Sequence, residues 1–291
     1  MAVNQAGMET VQHGTSAFPI ALYLIDLPHG TVSWHWHQEF EIGIVTEGNV
    51  LCRIASIQSV LHPGDGFFVN SGSLHEMEPE KDGSPFRMHS AVFHPDLPAG
   101  GRDTVFQQKY ITPLMENLSF PGTYLSRKIP WQSRILDHLE AVYTACAGQE
   151  FGYELSVRSS LSQILLEVLR TVPEDNGERS QVQIRKHARL QSMILYIQEH
   201  YGESVTLREI ASAGSVSESE CLRTFRQDLD TTPVTYLKNY RLQQAAYLLE
   251  TTRRSSAEIA QLCGFNDHSY FARSFRELYQ LTPSLYRKSR K

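Results

Sequence analysis

Between Ala17 and Phe93 the chain alternates short apolar runs with turn residues. Ile20 to Leu24, Glu41 to Val45, Phe67–Phe68–Val69 and Arg87 to Phe93 are the runs. Gly48–Asn49, Pro63–Gly64–Asp65 and Asp82–Gly83 are the breaks. Period-two patterning with breaks at this spacing predicts many short strands, as in a sandwich or a small barrel. The period then lengthens. From Trp131 to Cys146 and from Leu155 to Leu169, apolar residues recur three and four apart, which predicts two amphipathic helices. Ile135, Leu136, Leu139, Val142 and Tyr143 line one face, and Leu161, Ile164, Leu165, Val168 and Leu169 the other. Such faces can close a barrel's open side or pair with a second subunit, and the pattern fits both.

Pro173–Glu174–Asp175–Asn176–Gly177–Glu178–Arg179–Ser180 is polar and lacks apolar anchors, so residues 173–182 read as a linker. Everything beyond is helical and contains a duplication. Thr206 to Ala211 leads through a turn to Ser217–Phe225, and Ser256 to Ala260 leads likewise to Asn266–Phe275. Arg223–Thr224–Phe225–Arg226 recurs 50 residues later as Arg273–Ser274–Phe275–Arg276. A chain of 291 residues is long for one core. The expectation is a two-domain α+β protein: a β domain with accessory helices over 1–172, a linker over 173–182, and an all-α domain over 183–291.

Charge sharpens the division. Residues 1–180 hold 11 basic and 21 acidic residues, whereas 181–291 hold 16 and 11. The C-terminal part is therefore the one suited to a polyanion. Each of its halves has the form of a helix-turn-helix, in which a first helix braces on the backbone and a second enters the major groove. Cys221 and Phe225 anchor the first reader inward, leaving Ser219, Leu222, Arg223 and Arg226 outward. Phe271 and Phe275 anchor the second, leaving His268, Ser269, Ala272, Arg273 and Arg276 outward. Arg226 and Arg276 suit phosphates or solvent. Pro233 to Leu249 predicts one long helix joining the two units, with Pro at its harmless first position.

Arg241 to Arg287 carries Arg-Leu-x-x-Ala-x-x-Leu-Leu, Ile-Ala-x-x-x-Gly-Phe, Tyr-Phe-x-Arg-x-Phe-Arg and Thr-Pro-x-x-Tyr-Arg. In this, residues 187–288 resemble the DNA-binding domain of AraC/XylS-family transcription regulators. The resemblance implies base contacts from Ser219, Leu222 and Arg223 in the first reader, and from His268, Ser269, Ala272 and Arg273 in the second. One departure is Asp230, which stands where the family usually has Gly; Asp tolerates a left-handed backbone better than most residues.

The N-terminal part holds His35–Trp36–His37, then Glu41, Gly48 and His75. In a strand, i and i+2 share a face, so His35 and His37 point the same way, with Glu41 if the strand continues. Imidazoles and a carboxylate are ligands for a divalent metal such as nickel, zinc, manganese or iron. The spacing resembles the cupin pattern, which implies a cupin-like β-barrel sensor and adds His75 as a fourth ligand; Asn70 replaces that pattern's usual Pro. The alternative is a metal-free pocket in which the same four residues hydrogen-bond an organic effector, possibly a sugar.

Cys52, Cys146, Cys221 and Cys263 form no CxxC and read as buried free thiols. No apolar run reaches the ~18 residues of a membrane span, and no signal peptide is apparent, so a cytoplasmic protein is expected. The function these features favour is sequence-specific transcription regulation in response to a small molecule, without catalysis. The expected partners are double-stranded DNA, a small-molecule effector and a second copy of the chain, with RNA polymerase a further candidate. The competing readings are a metal-dependent cupin enzyme with a DNA-binding tail, and a DNA-binding protein whose barrel only dimerises.

Overall fold

The computed structural model describes residues 13–27, 32–81, 84–101, 103–172 and 181–289. The linker expected over 173–182 lies mostly outside them, as does the Asp82–Gly83 turn. The chain divides into two compact units, one chiefly Trp36–Glu178 and the other chiefly Arg179–Lys291.

Among the described residues the N-terminal part of the chain carries nine strands: β1 (Ile20–Leu27), β2 (Val32–His35), β3 (Phe40–Glu47), β4 (Val50–Ile54), β5 (Ile57–Leu61), β6 (Gly66–Val69), β7 (His75–Pro79), β8 (Phe86–Phe93) and β9 (Gly122–Leu125). Short helices α1 (Asp96–Ala99) and α2 (Thr112–Met115), with a π-helical turn at Gln107–Ile111, separate β8 from β9. Two long helices follow, α3 (Pro130–Gly148) and α4 (Tyr153–Leu169).

The expected closed barrel is not what forms. The strands make a five-stranded sheet, order β1-β8-β3-β6-β9, and a separate four-stranded sheet, order β2-β7-β4-β5. Closing a barrel needs an unbroken ladder around the whole circumference. Here each sheet keeps two edges, β1 and β9 in one and β2 and β5 in the other, so the cupin-like barrel is corrected to an open pair of sheets. Alternating short strands carry the same period in either architecture, and that period is all the pattern encodes.

Packing explains what closes the open side. Ile135, Leu136, Leu139 and Val142 of α3 and Leu161, Ile164, Leu165 and Val168 of α4 are buried in one cluster with Phe40, Ile42, Phe68 and Phe93 of the five-stranded sheet. Each such side chain contributes roughly 1.5–3 kcal/mol when removed from water, so a charge at Leu139 would open this core. Gly43 is required where β3 meets β6. A Cβ there would lie 2.4 Å from the Phe67 ring, and Phe67 is its cross-strand partner.

The second unit is helical: α5 (Gln181–His200), α6 (Leu207–Ala213), α7 (Glu218–Leu229), α8 (Pro233–Thr251), α9 (Ser256–Leu262), α10 (His268–Tyr279) and α11 (Pro283–Ser289). Capping residues set the helix starts. Thr206 and Ser255 each accept from the backbone N–H three residues on, while Glu209 and Glu258 reach back to complete capping boxes. Ser217 caps α7, Thr232 caps α8 ahead of Pro233, and Asp267 caps α10 through the N–H groups of Ser269 and Tyr270. Both α7 and α10 end on a left-handed residue, Asp230 at φ 49° and Gln280 at φ 55°. Asp230 adopts the conformation expected where a family Gly is missing.

Candidate nucleic-acid interface and metal centre

Helices α7 and α10 present the same inside and outside. Cys221, Thr224, Phe225 and Leu229 are buried on α7, and Phe271, Ser274, Phe275 and Tyr279 are buried on α10, each set 50 residues from the other. Position by position, residues 221–230 and 271–280 run through the same sequence of buried, half-buried and exposed sites. Ser219, Arg223, Arg226, His268, Ser269, Arg273 and Arg276 are exposed, and Leu222 and Ala272 are half-buried beside them. The sequence-predicted outward residues thus lie on one face of each reader. Their chemistry differs. Arg223 donates through Nε (3.0 Å) and Nη2 (2.5 Å) to Glu220 Oε2. Arg273 makes no side-chain hydrogen bond among the described residues, and His268 Nε2 lies 3.1 Å from Ser256 Oγ.

Long helix α8 holds the readers in one body. Leu242, Ala245, Ala246 and Leu249 pack with Phe271, Phe275 and Tyr279 in the core of the second helix-turn-helix. Arg241 was not singled out from the sequence, yet it braces the unit. Its Nε donates to Tyr201 O (2.7 Å) and its Nη2 to Glu203 O (2.6 Å). Burial lowers its pKa, with Cys263 and Tyr270 opposing the change. The only sequence signal was its place in the Arg-Leu-x-x-Ala repeat.

In the N-terminal part of the chain, His35, His37, Glu41 and His75 do come together. All four are buried, and one ligand atom from each lies within 4.8 Å of every other. The route differs from a continuous strand: β2 ends at His35, and Glu41 belongs to β3. His75 comes from the other sheet, at the start of β7. His37 Nδ1 faces Glu39 O at 3.1 Å, and His75 Nδ1 faces Ser73 O at 2.9 Å. A carbonyl only accepts, so each Nδ1 carries its proton and donates. In a neutral ring, Nε2 then holds a lone pair. Those atoms of His37 and His75 lie 3.2 and 3.0 Å from Glu41 Oε2, also an acceptor. Burial acts to raise the Glu41 pKa, but hydrogen bonds donated from the two Nε2 atoms when these carry protons, with the charge on rings so protonated, more than offset it and hold the carboxyl well below its usual range.

Three acceptors converging on one point require a positive charge between them. Protons on both Nε2 atoms would supply it, and so would one divalent cation with neutral imidazole ligands. The donor set and its spacing fit such an ion, whose ligand bonds run about 2.0–2.2 Å. The cluster can therefore coordinate a divalent metal. Ser90, which the sequence gave no reason to pick, completes its surroundings by donating to Glu41 Oε1. Asn70 is no ligand; its Nδ2 donates to Leu114 O (2.7 Å) and Phe120 O (2.9 Å), tying the loop before β9.

The fold and both sites define a regulator with a ligand-binding unit and a DNA-binding unit. A model of the AraC-like ligand binding domain matches residues 19–192, more than half of the chain, and a helix-turn-helix domain model matches residues 210–289. The chain is 30% identical to the HTH-type transcriptional regulator YdeC of Bacillus subtilis (strain 168), over 98% of this chain and 97% of that one. It is 30% identical to the HTH-type transcriptional activator RhaR of Mannheimia succiniciproducens, over 87% of this chain and 86% of that one. Among solved structures, an AraC-type regulator from Chromobacterium violaceum shares 29% identity over 35% of this chain and 92% of its own, with a TM-score of 0.35. The chain belongs to the AraC family of transcription regulators: it binds DNA and responds to a small molecule. Its relatives regulate transcription rather than catalyse, which removes the cupin-enzyme reading. Among the described residues no helix is long and apolar enough to cross a membrane.

Proposed function

We propose that α7 and α10 are the two base-reading helices of this regulator. Ser219, Leu222, Arg223, His268, Ser269, Ala272 and Arg273 face base edges, and Arg226 and Arg276 face phosphates. The observation that carries this is the matched burial of residues 221–230 and 271–280, which leaves the same positions outward on both helices. Two readers held by α8 suit successive major grooves, about 34 Å apart. The chain acts on its DNA as a homodimer. The boundary of the DNA-binding part falls within residues 173–182. In the ligand-binding part, His35, His37, Glu41 and His75 hold a divalent cation, a reading supported by the three acceptors that meet there.

The reader assignment is tested by Arg273→Ala and Arg276→Ala, measured on a sequence selected from a randomised duplex library and on random duplex. Arg273→Ala costs about 1–3 kcal/mol of discrimination. Arg276→Ala weakens both duplexes alike and lowers the salt slope by about 1. Equal weakening of both duplexes by Arg273→Ala refutes base reading at that position.

A further inference from the structure

Three helices of the DNA-binding unit begin with the same local signal, a Ser or Thr cap followed three residues on by Glu: Thr206/Glu209, Ser217/Glu220 and Ser255/Glu258. On α6 and α9 the glutamate turns back and closes the capping box. Glu209 Oε2 accepts from Thr206 N at 2.8 Å, and Glu258 Oε2 accepts from Ser255 N at 2.7 Å. On reader helix α7 the cap hydroxyl does its half, accepting from Glu220 N at 3.2 Å. The carboxylate does not return. It reaches forward one turn and takes both the Nε and Nη2 hydrogens of Arg223.

That choice needs a reason. Closing a box satisfies one more orphan N–H at a helix start, whereas an exposed i,i+3 ion pair contributes little stability. Arg223 is 62% exposed and Glu220 33%, so solvent screens the pair. Stability therefore does not favour the forward geometry, but recognition does. A guanidinium gripped along its Nε/Nη2 edge loses its freedom to swing towards phosphates, and its remaining N–H groups point in a fixed direction. Pre-organisation of this kind lowers the entropy lost when a planar fork meets a guanine edge. The second reader lacks the device: Tyr270 occupies the equivalent place ahead of Arg273.

We infer that Glu220 is a positioning residue for base reading, setting Arg223 so that the first reader discriminates sequence while the unbraced Arg273 leaves the second more permissive. The inference rests on the assignment of α7 as a reader. A negative charge on that face also opposes loose phosphate contact, so Glu220 costs general affinity and returns selectivity.

The test uses the full-length protein, a duplex selected from a randomised library by the wild type, and random duplex of equal length. Glu220→Ala is expected to lower the ratio of selected to random affinity about ten-fold, within the range one good base contact supplies. Random-duplex binding is expected to hold or tighten, and the thermal midpoint to stay unchanged because no cap is lost. Glu220→Gln, which can still accept from Arg223, is expected to recover part of the ratio. In an Arg223→Ala background Glu220→Ala is expected to have no further effect on the ratio, because the two act as one unit. A ratio that changes less than two-fold in Glu220→Ala, or that falls independently in the double variant, overturns the inference. A wild type that selects no sequence fails earlier and overturns the reader assignment instead.

Discussion

The buried cluster proposed as a metal site makes a specific demand on a single substitution. Glu41 Oε2 alone faces the Nε2 atoms of both His37 and His75, while Oε1 accepts from Ser90. Glu41→Gln, placed with its amide nitrogen at Oε2, replaces one acceptor by two N–H donors aimed at those two lone pairs. Its carbonyl oxygen remains for Ser90. Two acceptor–acceptor contacts become two hydrogen bonds, each worth about 1 kcal/mol. The metal-free variant is therefore expected to be about 2 kcal/mol more stable than the metal-free wild type at mildly alkaline pH. For a unit of this size that is a rise of roughly 4–8 °C in midpoint. Added zinc, nickel, manganese or iron(II) at about 100 times Kd should stabilise the wild type by about 2.7 kcal/mol and leave the variant unmoved. The assay is thermal unfolding with chelator and with each metal. A chelated variant that melts below the chelated wild type, or a metal shift shared by both proteins, refutes the assignment of Glu41 as the shared acceptor.

Three other outcomes follow from the helical unit and the thiols. Gln280 sits at φ 55°, a region that costs an L residue about 1–2 kcal/mol. Gln280→Gly removes that cost but adds about 0.5–1 kcal/mol of chain entropy to the unfolded state, so a net gain of about 0.5–1 kcal/mol is expected in denaturant unfolding; a loss would show the strain is absent. The N–H groups of Tyr270 and Ser269 hold the Asp267 carboxyl below its usual pKa. Its stabilisation is then complete above the unfolded-state value and lost as pH falls through the folded one. Asp267→Ala should destabilise the helix at neutral pH and change nothing once the wild-type cap is protonated, as acid titration of helicity would reveal. Burial pushes the Cys221 thiol up to about 11 and that of Cys263 up to about 12. Native-state alkylation followed by mass spectrometry should therefore mark the half-buried Cys146 and spare both; prompt labelling of Cys263 would contradict its packing beneath α10.

What the chain made legible depended on range. Periodicity placed α3 and α4, and the 50-residue offset placed both readers, because each is written within a few turns of helix. The closure of the sheets was not legible. Whether β1 pairs with β9 is decided by hydrogen bonds between residues a hundred positions apart, and alternation within a strand says nothing of them. The buried free thiols were anticipated, but Cys146 proved half-buried on α3. The four-residue cluster was found through its spacing, although the geometric argument for it was incomplete. His35, His37 and Glu41 were expected on one strand face; in fact Glu41 reaches the imidazoles from the next strand. Ser90 escaped notice because a lone serine inside an apolar strand carries no signal. Asn70 was noted only as a departure from a motif, and its structural part came from distance in the chain: its side-chain amide holds the loop between α2 and β9.

The duplicated readers separate what such a sequence states from what it leaves to geometry. Phe225 and Phe275 stand at equivalent inward positions, and either helix could be drawn from the other's buried residues alone. The outward residues share no such constraint. Glu220 and Tyr270 occupy the same place, and substitution between them would disturb no core side chain. Packing thus fixes where each of α7 and α10 sits, while the exposed positions are free to diverge, and their divergence gives one duplicated module two different outward surfaces. A serine-capped glutamate that declines its cap to hold an arginine can be recognised only once the two closed boxes on α6 and α9 are seen beside it.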